Sequence, residues 1–103
     1  MSYTGYEGEE ITLAEAAAMT AAFRTANPNA IKAHYFGEVL LKNICNQTGC
    51  VGIRFYHGID TNGAPQLVAV GVDANGDDMT AGKIGDRSYP CPNYCSKSNV
   101  LNG

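Results

Sequence analysis

In the first third of the chain, Leu13, Ala16, Thr20 and Phe23 recur along one side of a helix, with Ala17 and Met19 beside them. Thr12 precedes the run and Glu15 follows three residues later, the spacing of a capping box. Alanines fill much of the segment up to Ala26, which favours the helix and leaves a surface of methyl groups that another backbone can approach closely. Asn27-Pro28-Asn29 ends it, because proline lacks a donor and pushes the preceding residue out of helical angles. Residues 31–36 come next. Ile31, Ala33 and Tyr35 share a face if this run is a strand, and continued helix is the competing reading. After Gly37, the side formed by Leu40, Leu41, Ile44 and Cys45 predicts a second helix over residues 38–47, closed by Thr48-Gly49.

The pattern then changes to that of strands. CVGIRFYHGI (residues 50–59) and QLVAVGVD (residues 66–73) flank DTNGAP, whose Asn62-Gly63 step predicts a two-residue hairpin bend. That bend pairs Phe55 with Val70, His57 with Val68 and Ile53 with Val72. It gathers Val51, Ile53, Phe55, His57 and the three valines on a core side. Gly52, Arg54, Tyr56, Leu67, Ala69 and Gly71 fall on the other side. There Arg54 and Tyr56 form a ridge beside a flat floor, so Arg54, Tyr56, Leu67 and Ala69 are the candidate interaction face. From Asn75 onward the pattern fades into Gly, Asp, Asn, Ser and Pro.

These elements predict an α+β fold: a small two-layer domain with two helices on one face of a three-stranded mixed sheet, in the order helix-strand-helix-strand-strand. Residues 31–36 and the first hairpin strand would be parallel, joined by a right-handed crossover. Residues 1–10 read as a flexible N-terminal arm, residues 11–78 as the α+β domain with the hairpin at 50–73, and residues 79–103 as a tail wrapping it. A sheet this small has one face and two edges still to cover, which favours a homo-oligomer.

Composition narrows the function classes. The chain has 103 residues, 45% of them hydrophobic and 17% charged, which fits one folded domain rather than a disordered segment. A net charge of -3 argues against nucleic acid, and no apolar run approaches a membrane span. The start, MSYTGYEGEE, is acidic and polar, unlike a secretory signal, so the expected compartment is the cytoplasm.

Four cysteines leave three readings open: plain thiols, metal ligands or disulfides. Cys45, Cys50, Cys91 and Cys95 form two pairs whose thiolates would suit zinc, and a mixed site with His34 or His57 is also open. Cys91-Pro92-Asn93-Tyr94-Cys95 is one residue longer than a glutaredoxin-type motif, and no strand leads into it, which makes thiol redox chemistry the weaker reading. Asp73, Asn75 and Asp77 stand at the first, third and fifth places of a calcium loop. The sixth and twelfth places hold Asp78 and Ile84 where glycine and glutamate belong, so a polar turn is the better reading. No nucleophile turn or phosphate-cradling glycine loop is present.

GCVGIRFYHGIDTNGAPQLVAVGVDANGDD followed by PCPNYC resembles a loose group of short uncharacterised bacterial proteins, Bacteroidota-like in type. The resemblance carries no activity to transfer and implies only a small soluble intracellular bacterial protein. The leading functional expectation is a non-enzymatic protein-interaction or self-assembly module, using the alanine-rich helix or the Arg54/Tyr56 face. Its partner would be itself or another protein, and the alternative is a small zinc-binding protein using the cysteine pairs.

Overall fold

A computed structural model describes residues 2–103. The fold is α+β, with two helices and two small antiparallel sheets. In chain order the elements are α1 (Leu13–Ala26), β1 (Ala33–Tyr35), α2 (Glu38–Cys45), β2 (Cys50–Ile59), β3 (Pro65–Asp73), β4 (Ile84–Gly85) and β5 (Tyr89–Cys91). No helix among the described residues is long and apolar enough to cross a membrane.

The chain divides into two compact units, along lines that differ from the expected arm, core and tail. One comprises residues 2–8 and Phe36–Ser88, and the other comprises Glu9–Tyr35 and Tyr89–Gly103. The N-terminal residues are ordered by hydrogen bonds. The Tyr3 N–H donates to the Ala74 carbonyl at 2.7 Å. The Glu7 carboxylate accepts from the Thr4 and Gly5 N–H groups at 2.8 and 2.9 Å.

In the first unit β2, β3 and β4 form an antiparallel sheet in that order. The expected mixed sheet is not formed. β1 lies in the other unit, paired antiparallel with β5, and β4 takes the second edge of β3. The hairpin register also differs from expectation by one residue. Asp60 and Ala64 close a loop over residues 61–63, with Asp60 N–H donating to the Ala64 carbonyl at 2.9 Å. The Asp60 carboxylate accepts from the Asn62 and Ala64 N–H groups, both at 2.9 Å, and Gly63 adopts φ +82°. A three-residue loop with a left-handed glycine therefore replaces the two-residue bend.

Phe55 now faces Ala69, and Arg54 faces Val70. Such a slip moves each strand's partners to the opposite face. Gly52, Arg54 and Tyr56 share one side with Val68, Val70 and Val72. Ile53, Phe55 and His57 share the other with Leu67, Ala69 and Gly71. The expected grouping of Phe55 with the valines is thus corrected.

α2 covers the Ala69/Gly71 side. Ile44, fully buried, approaches Gly71, where a Cβ would come within 3.0 Å of Gln47 Nε2 and 3.1 Å of Cys50 Sγ. At Gly85 a Cβ would lie 2.7 Å from Leu40 Cδ2. Glycine at these two places lets helix and sheet come together.

At the far end of β3 the same loop recurs. Asp73 accepts from the Asn75 and Asp77 N–H groups at 2.9 and 3.1 Å, Gly76 adopts φ +83°, and Val72 bridges to Asp78. Asp73 to Asp77 is therefore a turn, as the sequence implied.

The second unit contains α1, the β1–β5 ladder and the C-terminal segment. The capping box is present: Glu15 N–H donates to Thr12 Oγ1 at 3.1 Å, and Thr12 N–H donates to Glu15 Oε1 at 3.5 Å. Arg24 and Lys32 fasten the end of the chain, donating to the Leu101 and Asn102 carbonyls at 2.6 and 2.7 Å. Cys91 and Cys95 are joined by a disulfide.

Candidate interaction surfaces

The register decides what becomes of the expected interaction face. Arg54 and Tyr56 remain neighbours on one side of the sheet, but Leu67 and Ala69 lie on the other, and Ala69 is fully buried. The four residues therefore do not form one surface. Nor are Arg54 and Tyr56 a bare ridge. The second aspartate loop returns Asp78 beside Val72, where its carboxylate bonds Arg54 Nη1 at 2.6 Å and accepts the Tyr56 hydroxyl. Arg54 also donates to the Gly76 carbonyl at 3.3 Å and lies 6.0 Å from the centre of the Tyr3 ring.

This cluster is electrostatically closed. The Tyr56 hydroxyl, and then Arg54, hold Asp78 below the usual carboxylate range. The same carboxylate raises Tyr56 and Arg54 above their ordinary values. These groups satisfy one another and clamp the loop to β2. Sequence reasoning missed Asp78 because its partners are brought to it only by the loop.

The cysteines separate into two kinds. Cys91 and Cys95 are bonded to each other, while Cys45 is free and exposed at the end of α2. Cys50 is free and half-buried, its Sγ 3.2 Å from the Gly52 carbonyl. Disulfide sulfurs are not thiolate ligands, so the expected zinc set loses two of its donors in this state. No group of three or more His, Cys, Asp or Glu side chains among the described residues is placed to hold a metal. His34 lies half-buried in β1, and His57 is exposed in β2.

Two apolar surfaces stand out in the second unit. On α1 the half-buried positions are Ala16, Ala17, Thr20, Ala21 and Arg24, all on one side. Ala18, Met19, Ala22, Phe23 and Ala26 form an exposed stripe on the other, with Met19 at 61% and Phe23 at 46% exposure. Phe23 lies seven residues after Ala16 and three after Thr20, so it stays on their side of the helix, at the border of the exposed stripe. The helix buries no residue at all.

The second surface is a groove of about 490 Å³ lined by Tyr35, Tyr89 and Tyr94. Tyr35 and Tyr89 are cross-strand partners with ring centres 6.2 Å apart. Tyr94 packs on Tyr89 at 4.6 Å, held there by its N–H bond to the Pro90 carbonyl and by the disulfide that closes its loop. No sequence spacing links Tyr35 to Tyr89, so this groove had no local signal.

Comparisons with family models, curated proteins and solved structures found no match to this chain.

Proposed function

We propose that this chain is a non-enzymatic interaction module that assembles with further copies of itself through the outer stripe of α1. The supporting observation is the distribution of apolar side chains. Among the described residues the buried hydrophobic core consists of Ile44, Ala69, Val70, Val72 and Cys91, while Leu13, Met19 and Phe23 of one helix are all exposed. An isolated helix of this length is marginal in water and draws most of its stability from packing an apolar face. The Met19/Phe23 stripe is such a face. The Arg54/Tyr56 pair is less suited to the role, because Asp78 already occupies it.

Light scattering and sedimentation of the full chain test this reading. The expected result is a dimer or larger species, with Met19→Glu and Phe23→Glu sedimenting as monomers of unchanged helix content. A wild-type monomer at high concentration refutes it.

The Cys91–Cys95 bond supports an oxidising compartment over the cytoplasm that the polar N-terminus suggested. Thiol counting on native protein checks the pairing. Cys45 should react at once, Cys50 slowly, and Cys91 and Cys95 only after reduction.

A further inference from the structure

We infer that the tyrosine groove of the second unit binds an extended, proline-rich peptide flanked by acidic residues. Three observations select this ligand class.

The first is the groove's charge. The chain carries a net -3, yet the residues lining the groove include Lys32 and no aspartate or glutamate. Lys32 gives one hydrogen bond to the Asn102 carbonyl at 2.7 Å, and an ammonium has three donors. A neighbouring carboxylate on the ligand complements it.

The second is the hydrogen-bond inventory. Asn99 and Asn102 look like polar reading heads, but their amides are consumed in folding the chain end. The Asn99 side chain donates to the Lys97 carbonyl at 2.9 Å and accepts from Leu101 N–H at 2.8 Å. The Asn102 side chain donates to the Lys97 and Ser96 carbonyls at 3.0 and 3.1 Å and accepts from Asn99 N–H at 2.9 Å. Neither amide is therefore open to the hydroxyls of a neutral sugar. The hydroxyls of Tyr35, Tyr89 and Tyr94 carry no hydrogen bond among the described residues. They remain as donors for a ligand that presents carbonyl oxygens.

The third is shape. Tyr35 and Tyr89 are tilted by 47° with centres 6.2 Å apart, which opens a notch, and Tyr94 extends the aromatic floor beside it. A polyproline II chain has three residues per turn and rises about 3.1 Å per residue, so it presents a pyrrolidine ring to the aromatic floor once per turn. Its carbonyls are unpaired and its pyrrolidine rings pack on aromatic faces at little entropic cost.

The test uses the full-length protein and the synthetic peptide Glu-Glu-Pro-Pro-Leu-Pro-Pro-Leu-Pro, followed by calorimetry and tyrosine resonances. The controls are the same peptide with alanine for proline, a Lys-Lys-flanked version, and cellohexaose as a neutral oligosaccharide. The acidic proline peptide should bind and shift Tyr35, Tyr89 and Tyr94. Tyr94 lies outside the strands and is exposed, so Tyr94→Ala keeps the fold and should weaken binding by about tenfold. Tyr94→Phe, which keeps the ring, should fall between. Lys32→Glu should reverse the preference toward the Lys-Lys flank. The proposal is overturned if the alanine or lysine peptide binds as tightly to wild type, if Tyr94→Ala binds unchanged, or if only the oligosaccharide binds.

Discussion

In the unit built on β2, β3 and β4, polar groups are spent on the unit's own turns, and its apolar groups are buried on both sides of the sheet, Ile44 and Ala69 beneath α2 and Val70 and Val72 on the Arg54 side. Asp60, Asp73 and Asp78 each hold at least two partners from nearby loops or strands. Ile44 and Ala69 are fully enclosed. In the unit built on α1 and the β1–β5 ladder, the polar groups likewise tie down the chain end, but Met19, Phe23 and three tyrosines face outward. With few buried apolar groups, that unit relies on a capping box and a covalent cross-link for order. Under the proposed function, the first unit is the scaffold and the second carries the recognition surfaces.

Substitutions can sharpen or break this contrast. Ile44→Ala should have the largest effect, about 3 kcal/mol in urea unfolding, because it empties a fully enclosed site. Hydrogen exchange should show the loss in β2 and β3. Equal loss across α1 would mean that the two units do not differ as described. Reducing the Cys91–Cys95 bond should cost about 2 kcal/mol, the loop-entropy value for so short a closure, with the loosening centred on β5 and Tyr94. Near-ultraviolet dichroism of the tyrosines reads it.

The twin loops give a finer comparison. Gly63→Ala should cost about 1 kcal/mol for its positive φ, with open space around the new methyl. Gly76→Ala should cost more, since its Cβ would lie 2.6 Å from Tyr3 Cε1. Thermal melts of the two variants decide the order.

Acid should loosen the first unit by a smaller, graded amount. The Thr4 N–H, with further amide bonds, holds Glu7 down to about 2 from its ordinary 4.5. Asp60 is lowered by the Ala64 N–H and Gln66, and Asp78 by Tyr56 and Arg54. Depressed carboxylates stabilise fully above their unfolded values, so this contribution is lost as pH falls from the mid-fours toward 2. Melting against pH should slope downward there, and Glu7→Gln should flatten the slope.

Local features of the fold were legible in the sequence, and longer-range ones were not. Thr12, Glu15 and Asn27 bounded α1 because capping acts within a few residues. Gly37 and Gly49 framed α2 for the same reason, though the helix stops at Cys45. The hairpin was recognisable from Asn62-Gly63, but its register was not. That dipeptide serves two loop lengths, and the side chain of Asp60 selects the longer one. The matching Asp-x-Asn-Gly at Asp73 was the available clue. β1 and β5 could not be paired from sequence, since their ladder rests on few residues far apart in the chain. Both candidate surfaces suffered likewise. The Arg54 face needed the true register, and the groove needed Tyr35 beside Tyr89.

The twin loops around β3 carry one more consequence. Each spans an odd number of positions, so from Gly52 onward every cross-strand pair joins two even-numbered or two odd-numbered residues. Parity in the numbering thus labels the sides of this sheet, even for the Arg54 side and odd for the α2 side. Such a hairpin accepts a shift of pairing only in steps of two. A single added residue must therefore be taken up within the loop itself, because passing it into the pairing as a one-residue slip would turn a strand inside out.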